Sequence, residues 1–168
     1  QKPVSQESLR NALIPLFLDE TLSSSEQFPD RQLTKPKVSA ETPLRILLAE
    51  DIPLNRIVAL QMLRSCGYRA DTVNNGNEVL TALHHQPYDL VLMDIQMPEM
   101  DGLTATRQVR LAPDIIQPYI VAMTASSMQG DRERCLAAGM DDYISKPIRK
   151  RQLREVIQQC PRLPQMLM

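Results

Sequence analysis

Acidic side chains stand at the ends of two apolar runs in this chain. Glu50 and Asp51 follow the run 46–49, and Asp94 ends the run that begins at Leu90. Mg²⁺ prefers oxygen ligands and keeps several of its waters, so one or two protein carboxylates suffice to bind it. We therefore expect Asp51 and Asp94 to bind Mg²⁺ directly and Glu50 to bind it through water.

The grouping of these acids matters more than any one of them. An adjacent pair such as Glu50 and Asp51 is by itself more typical of a solvated strand end or a helix N-cap. With Asp94 added the balance reverses, because three clustered carboxylates repel one another unless a cation compensates them. The main-chain carbonyl of Gln96, just past the second run, is expected to complete the protein's contribution to the metal site.

Asp94 is the candidate nucleophile of this site. A carboxylate can attack phosphorus and form an aspartyl-phosphate. Lys146 would supply a point charge to a phosphoryl oxygen, and Thr124, at the end of another apolar run, would offer a hydroxyl to the bound phosphoryl group. Pro147 suits a sharply bent peptide, and a cis bond before it fits this position.

Alternating strand and helix patterns would bring these residues together. Runs beginning at Arg45, Leu90 and Tyr119 are almost continuously apolar, as in strands buried on both faces. The runs 69–73 and 142–145 are more polar and indicate edge strands. We predict an α/β fold, a doubly wound (βα)5 flavodoxin-like parallel sheet in the order 2-1-3-4-5, with the acids at the switch point between strands 1 and 3.

Helical spacing of apolar residues predicts which helix faces pack on this sheet. The first helix carries one apolar face and the fifth carries another. The face of the first helix is formed by Leu54, Ile57, Val58 and Met62. That of the fifth is formed by Leu153, Val156, Ile157 and Cys160.

The chain divides into four predicted parts. Lys2-Pro3 and the helix pattern after it repeat the spacing found after Lys146-Pro147, so residues 1–18 are interpreted as the last helix of a preceding, similar domain. An ordinary amphipathic helix is the alternative. Serines and prolines without apolar periodicity indicate a flexible linker. The predicted parts are the remnant 1–18, the linker 19–43, the main domain 44–160 and the tail 161–168.

Net charge, apolar stretches and cysteine content argue against several classes of function. The 168 residues have a formal net charge of −1, which offers no electrostatic footprint for nucleic acid. No apolar stretch is long enough to span a bilayer, so we expect no direct membrane insertion of this chain. The three cysteines form no CxxC pair, and they are interpreted as reduced packing residues of a cytoplasmic protein.

Taken together, these residues resemble the receiver domain of bacterial response regulators over residues 44–160. The match includes Glu50-Asp51, Asp94 within the segment 92–102, Thr124-Ala125 and Lys146-Pro147. The resemblance implies Mg²⁺-dependent transfer of a phosphoryl group from a partner's histidine to Asp94. It also implies a switch in which Thr124 moves toward the phosphoryl group, the aromatic side chain of Tyr143 changes rotamer, and Pro147 belongs to the same switch region.

The segment Asp51-Ile52-Pro53-Leu54-Asn55 is similar to the receivers of hybrid sensor histidine kinases. The resemblance therefore implies a histidine kinase or a histidine phosphotransfer domain as partner, and a parent protein that is a membrane-bound sensor kinase with this part in the cytoplasm. No independent turnover enzyme is expected for this chain. The apolar stripe of residues 1–18 would pack on the main domain or form a homodimer through the N-terminal helix.

Three other functions compete with this interpretation. A flavodoxin-like flavin carrier needs a phosphate-binding loop after strand 1, where Glu50 and Asp51 would repel a phosphate. A phosphatase of the haloacid dehalogenase type needs an acid two residues after its nucleophile, and that position holds Gln96. A phosphorylation-independent pseudo-receiver, regulating a histidine kinase by contact alone, remains the non-enzymatic alternative.

Overall fold

The structure is a computed structural model that describes residues 43–125 and 129–163. The predicted helical remnant at 1–18 lies outside the described residues. So do the predicted linker, apart from Pro43, and residues 164–168 of the predicted tail. These parts of the predicted domain organisation therefore stay predictions.

Strands and helices alternate five times along the described residues. The strands are β1 (Ile46–Ala49), β2 (Ala70–Val73), β3 (Leu90–Asp94), β4 (Tyr119–Thr124) and β5 (Asp142–Ser145). The helices are α1 (Pro53–Ser65), α2 (Gly76–His85), α3 (Gly102–Leu111), α4 (Gln129–Ala137) and α5 (Lys150–Gln159). The five strands form one parallel sheet in the order β2-β1-β3-β4-β5, which confirms the predicted fold.

Burial along the strands explains this order. Every residue of β1 and β3 is buried, whereas β2 exposes two of its four residues at one edge of the sheet. A parallel sheet needs helices on both faces, so its central strands must be apolar throughout. The continuous apolar runs thus occupy the centre of the sheet, where both faces are covered.

Helices pack on each face of the sheet and form two separate cores. One core joins α1 and α5 to the sheet, and the other joins α2, α3 and α4 to the opposite face. The predicted face of α5 is confirmed, because Leu153, Val156, Ile157 and Cys160 are all buried in the first core. None of the helices in the described ranges has the length and apolar composition needed to span a lipid bilayer.

The predicted apolar face of α1 is wrong at three of its four residues, whereas the fourth, Met62, is half-buried against the core that contains α5. Leu54, Ile57 and Val58 are 69%, 53% and 40% exposed, whereas Ala59 and Leu63 are the buried residues of this helix. Apolar residues occur on two sides of α1, and helical spacing alone fits both. The side that faces the sheet is the one that packs with α5, and the other side is left in solvent.

Candidate functional site

Two adjacent strands bring the three acids together. β1 and β3 are neighbours in register, with Ala49 beside Met93, so Glu50 and Asp51 emerge next to Asp94. One carboxylate oxygen from each of the three acids lies within 4.8 Å of the others. Glu50 and Asp94 are buried and Asp51 is half-buried. The predicted acidic cluster therefore forms at the carboxyl edge of the sheet.

Lys146 reaches this cluster from the far edge of the sheet. Its Nζ donates to Asp94 Oδ2 and to Glu50 Oε2, each at 2.7 Å. The backbone N–H of Lys146 donates to the carbonyl of Thr124, which ties the end of β5 to the end of β4. The Lys146–Pro147 peptide bond is cis, as the sequence suggested. The ammonium group thus stands between two buried carboxylates.

Burial and charge shift the ionisation of this group of residues. The pKa of Asp94 is raised above its usual value: burial is the largest cause, the hydrogen bond and charge of Lys146 oppose it, and the neighbouring Glu50 charge adds to the rise. Burial lowers the pKa of Lys146, but its bonds to Asp94 and Glu50 raise it by more, so it stays protonated. The cluster thus groups three acidic side chains with one ammonium, which pairs with Glu50 and Asp94.

Asp51 provides a direct sign that a cation fits here. Its Oδ1 is buried and accepts no hydrogen bond from any residue in the ranges 43–125 and 129–163. A buried carboxylate oxygen without a donor is costly unless another group compensates it. Together with Glu50 and Asp94, this oxygen forms an all-oxygen donor set of the kind that suits Mg²⁺. The residues present therefore fit a divalent cation.

Gln96 and Thr124 flank the phosphoacceptor candidate. The backbone N–H of Gln96 donates to Asp94 Oδ1 at 3.3 Å, which leaves its predicted role as a carbonyl ligand a prediction. Thr124 is buried at the end of β4, one residue beyond Met123, the β4 residue paired with Asp94. Both residues therefore stand beside Asp94, on the chain segments that the sequence indicated.

Tyr143 lies on β5, three residues before Lys146. It is half-buried against the core that contains α4, and it pairs in register with Ala122. The guanidinium carbon of Arg132, on α4, lies 5.6 Å from the centre of the Tyr143 ring. This distance is within the range of cation–π attraction. The ring therefore bridges the last strand and α4.

Sequence reasoning missed two residues that hold the site in shape. Asn55 Nδ2 donates to Glu50 Oε1 at 2.9 Å from the first turn of α1. Gly102 starts α3 so close to β3 that an added Cβ would lie 2.1 Å from the carbonyl oxygen of Asp94. The sequence gives a partial indication of each residue, because both follow an acid of the site by less than ten residues. The contacts themselves depend on how each helix leaves the sheet.

The fold and the site together define a class of protein. A buried carboxylate with two acidic neighbours and a bridging lysine, at the switch point of a 2-1-3-4-5 sheet, is the arrangement of phosphorelay signalling domains. The family model for the response regulator receiver domain matches residues 46–158. The chain belongs to this family.

Several histidine kinases contain a region similar in sequence to this chain. The chain is 39% identical over 158 residues to Histidine protein kinase 1 of Candida albicans, covering 88% of this chain and 6% of that protein. It is 39% identical over 125 residues to Hybrid signal transduction histidine kinase K of Dictyostelium discoideum, covering 68% and 10%. The chain therefore spans a small part of the length of these relatives.

Solved structures share the fold and extend the comparison to ligands. The receiver domain of sensor histidine kinase PA1611 from Pseudomonas aeruginosa, with magnesium coordinated in its active-site cleft, is 42% identical with a TM-score of 0.65, covering 70% of this chain and 97% of that one. A second match is the co-crystal structure of the Saccharomyces cerevisiae histidine phosphotransfer protein Ypd1 with the receiver domain of Ssk1. It matches at 27% identity with a TM-score of 0.63, covering 69% of this chain and 87% of the matched chain.

Proposed function

We propose that this chain accepts a phosphoryl group from a phosphohistidine onto Asp94, with Mg²⁺ bound beside it, and changes conformation in response. The observation that carries the proposal is the cluster itself. A buried Asp94 lies among two further acids and is bridged to Glu50 by the Lys146 ammonium. Each of these groups has a defined task in phosphoryl transfer, where positioning and charge compensation supply most of the catalysis.

In the transfer, an Asp94 carboxylate oxygen forms a bond to phosphorus while the bond from phosphorus to the imidazole nitrogen breaks. The electron pair of that bond stays with the imidazole. Asp94 must be ionised to attack, and the bond from Lys146 favours the ionised form against the effect of burial. A bound Mg²⁺ would supply charge neutralisation for the phosphoryl oxygens. Lys146 is placed to donate to one of those oxygens once the phosphoryl group has been transferred.

Asp51 and Asp94 are the proposed direct ligands of the metal, and Glu50 is proposed to act through water. The partnerless Oδ1 of Asp51 supports the first assignment. Both carboxylate oxygens of Glu50 already accept hydrogen bonds from side chains, Oε1 from Asn55 and Oε2 from Lys146, and this supports an indirect role for Glu50. The carbonyl of Gln96 completes the proposed set.

We propose that the switch transmits a conformational change from Thr124 to the surface formed by α4, β5 and α5. A phosphoryl oxygen on Asp94 offers the Thr124 hydroxyl an acceptor, and movement of Thr124 is passed to Lys146 through their backbone hydrogen bond. Tyr143, held between β5 and Arg132, would change rotamer with this movement. The cis bond at Pro147 lies in the same connection between β5 and α5.

A phosphohistidine partner would dock on the exposed side of α1. Ile52, Leu54, Ile57 and Val58 together expose a patch of apolar surface directly after Asp51. Apolar patches beside a reactive site are typical of protein interaction surfaces. The complex of Ypd1 with the receiver of Ssk1 shows that a histidine phosphotransfer protein binds a related domain. We therefore propose a helical histidine phosphotransfer domain, or the phosphohistidine helix of a kinase, as the occupant of this patch.

The parent protein is proposed to be a hybrid sensor histidine kinase, with this domain on its cytoplasmic side. The names of the matched relatives support the kinase context. Homodimerisation through residues 1–18 remains a prediction outside the described residues. Analytical ultracentrifugation of the full chain and of a chain starting at residue 43 tests it, because only the full chain should self-associate.

The decisive experiment is incubation with acetyl phosphate and Mg²⁺, followed by intact-mass measurement. We expect one labile phosphoryl adduct in wild type and none in Asp94→Asn. Asp114→Asn, which changes an exposed aspartate, serves as the matched control and should label like wild type. An unlabelled wild type, or equal labelling of Asp94→Asn, would contradict the proposal and favour a phosphorylation-independent pseudo-receiver.

A further inference from the structure

We propose that Asn55 is a positioning residue that holds the Glu50 carboxylate in the orientation required by the cation site and by Lys146. This inference rests on the proposed function and extends it to a side chain outside the acidic cluster. Asn55 does not reach Asp94 itself. Its effect would pass through Glu50, to which its amide is hydrogen-bonded.

The first support is that the two oxygens of the Glu50 carboxylate accept hydrogen bonds from two different side chains. Asn55 Nδ2 donates to Oε1 at 2.9 Å, and Lys146 Nζ donates to Oε2 at 2.7 Å. Glu50 is 1% exposed, so water cannot readily replace either donor. Rotation of the carboxylate would break one of the two bonds. Asn55 therefore fixes the plane of the carboxylate so that one of its oxygens faces Lys146.

The second support is that the main chain of Glu50 is held independently of Asn55. The N–H of Glu50 donates to the carbonyl of Val73, and Arg56 Nη1 donates to the carbonyl of Glu50. Loss of the Asn55 amide should leave the backbone in place and free the side chain alone. A positioning role can thus be separated from a folding role.

The third support is that α1 itself does not require an asparagine at position 55. Asparagine has a lower intrinsic helix propensity than alanine, so helix stability does not account for its presence. Ile52, the N-cap residue of α1, makes no side-chain capping hydrogen bond, so it forms no reciprocal capping pair with Asn55. Its amide is directed to Glu50 instead.

The chemical type of the side chain also fits the role. An amide carries no charge, so it orients Glu50 without cancelling the negative charge that attracts a cation. The hydrogen bonds then run in sequence from Asn55 to Glu50, and Lys146 joins Glu50 to Asp94. α1 is thereby connected to the phosphoacceptor through three side-chain contacts.

The test measures Mg²⁺ binding by calorimetry on the unphosphorylated full chain, using Asn55→Ala and Asn55→Gln. We expect Asn55→Ala to weaken Mg²⁺ binding about tenfold, the lower end of the effect of removing a partner of a metal ligand. Asn55→Gln, which retains the amide, should recover part of this loss. Asn77→Ala, a change at an exposed asparagine in the first turn of α2, is the matched control and should bind Mg²⁺ like wild type.

Thermal unfolding in the presence of a chelator separates positioning from folding. The expected result is a folded Asn55→Ala protein whose midpoint is lowered by only a few degrees, because one buried oxygen of Glu50 loses its donor while the rest of the fold is unchanged. Unchanged Mg²⁺ affinity in Asn55→Ala, or no Mg²⁺ binding by wild type, would overturn the inference. If wild type binds Mg²⁺ but gains no phosphoryl group, and Asn55→Ala still weakens Mg²⁺, the proposed transfer fails and the positioning role stands.

Discussion

Lys146 Nζ lies 2.7 Å from Asp94 Oδ2, and the same ammonium lies 2.7 Å from Glu50 Oε2. The lysine comes from the end of the edge strand β5, whereas Asp94 ends the central strand β3. One cation therefore joins two buried acids, and in the proposed transfer it would lie within reach of a phosphoryl group on Asp94.

Replacing this cation should slow labelling without weakening the metal site. We expect Lys146→Met to lower the rate of labelling by acetyl phosphate about 100-fold, the usual effect of removing one charged stabiliser of a transition state. Mg²⁺ should bind at least as tightly, because a competing positive charge is removed. Time-resolved intact mass and calorimetry measure the two effects. A labelling rate equal to that of wild type would contradict the proposed role of Lys146.

Asp51→Asn should remove most of the Mg²⁺-dependent stabilisation. At a concentration ten times the Kd, a ligand stabilises the folded state by about 1.4 kcal/mol, which raises the thermal midpoint by several degrees. Wild type should show this rise between chelator and Mg²⁺. We expect little rise in Asp51→Asn, since the partnerless oxygen of Asp51 is replaced or neutralised. An equal rise in both proteins would exclude Asp51 as a direct ligand.

Gly102→Ala should disturb both stability and Asp94. The added Cβ would stand 2.1 Å from the Asp94 carbonyl oxygen, so the start of α3 or the end of β3 must shift. We expect a loss of about 3 kcal/mol in the free energy of unfolding, measured by urea denaturation, and slower labelling of Asp94.

Gly130→Ala is the matched control for this change. Gly130 also lies in the first turn of a helix, and an added Cβ there meets nothing within 4 Å. Alanine should therefore stabilise α4 by about 0.5 kcal/mol or more. Similar destabilisation by both substitutions would show that the close approach to Asp94 is not the cause.

The exposed side of α1 should matter for the partner and not for folding. Leu54→Ser and Ile57→Ser are expected to change the free energy of unfolding by no more than about 0.5 kcal/mol, because both side chains are largely in solvent. Leu63→Ala, on the buried side, should cost about 2–5 kcal/mol.

Phosphoryl transfer to these α1 variants separates docking from chemistry. Labelling by acetyl phosphate should match wild type, while transfer from a phosphorylated histidine phosphotransfer protein that serves wild type should slow. Equal slowing with both donors would instead place the defect at Asp94.

Cys160 should resist alkylation in the folded protein. Burial, followed by the charges of Asp89 and Asp141, raises the pKa of this thiol from 9.0 to about 11. At pH 8 a thiol of that pKa is only about 0.1% thiolate, the reactive form. Half-buried Cys66 should therefore react with iodoacetamide first, as peptide mapping would show. Labelling of Cys160 should rise as the pH approaches 11; rapid labelling at pH 8 would contradict its burial.

The sequence by itself determined the sheet and the composition of the site. Continuous apolar runs at β1, β3 and β4 require strands covered on both faces, and polar runs at β2 and β5 require edges. Because the carboxyl ends of parallel strands meet at one edge, Glu50, Asp51 and Asp94 had to converge. Residue type then indicated a divalent cation and a phosphoryl group.

The tertiary structure alone decided which contacts complete the site. Helical spacing on α1 fits two faces, and packing against the sheet and α5 selected Ala59 and Leu63 over Leu54 and Ile57. That rotation of α1 also directs Asn55 to Glu50. Periodicity specifies the faces that a helix has, whereas long-range packing specifies the one that is buried, because the choice depends on volumes contributed by residues far apart in the chain.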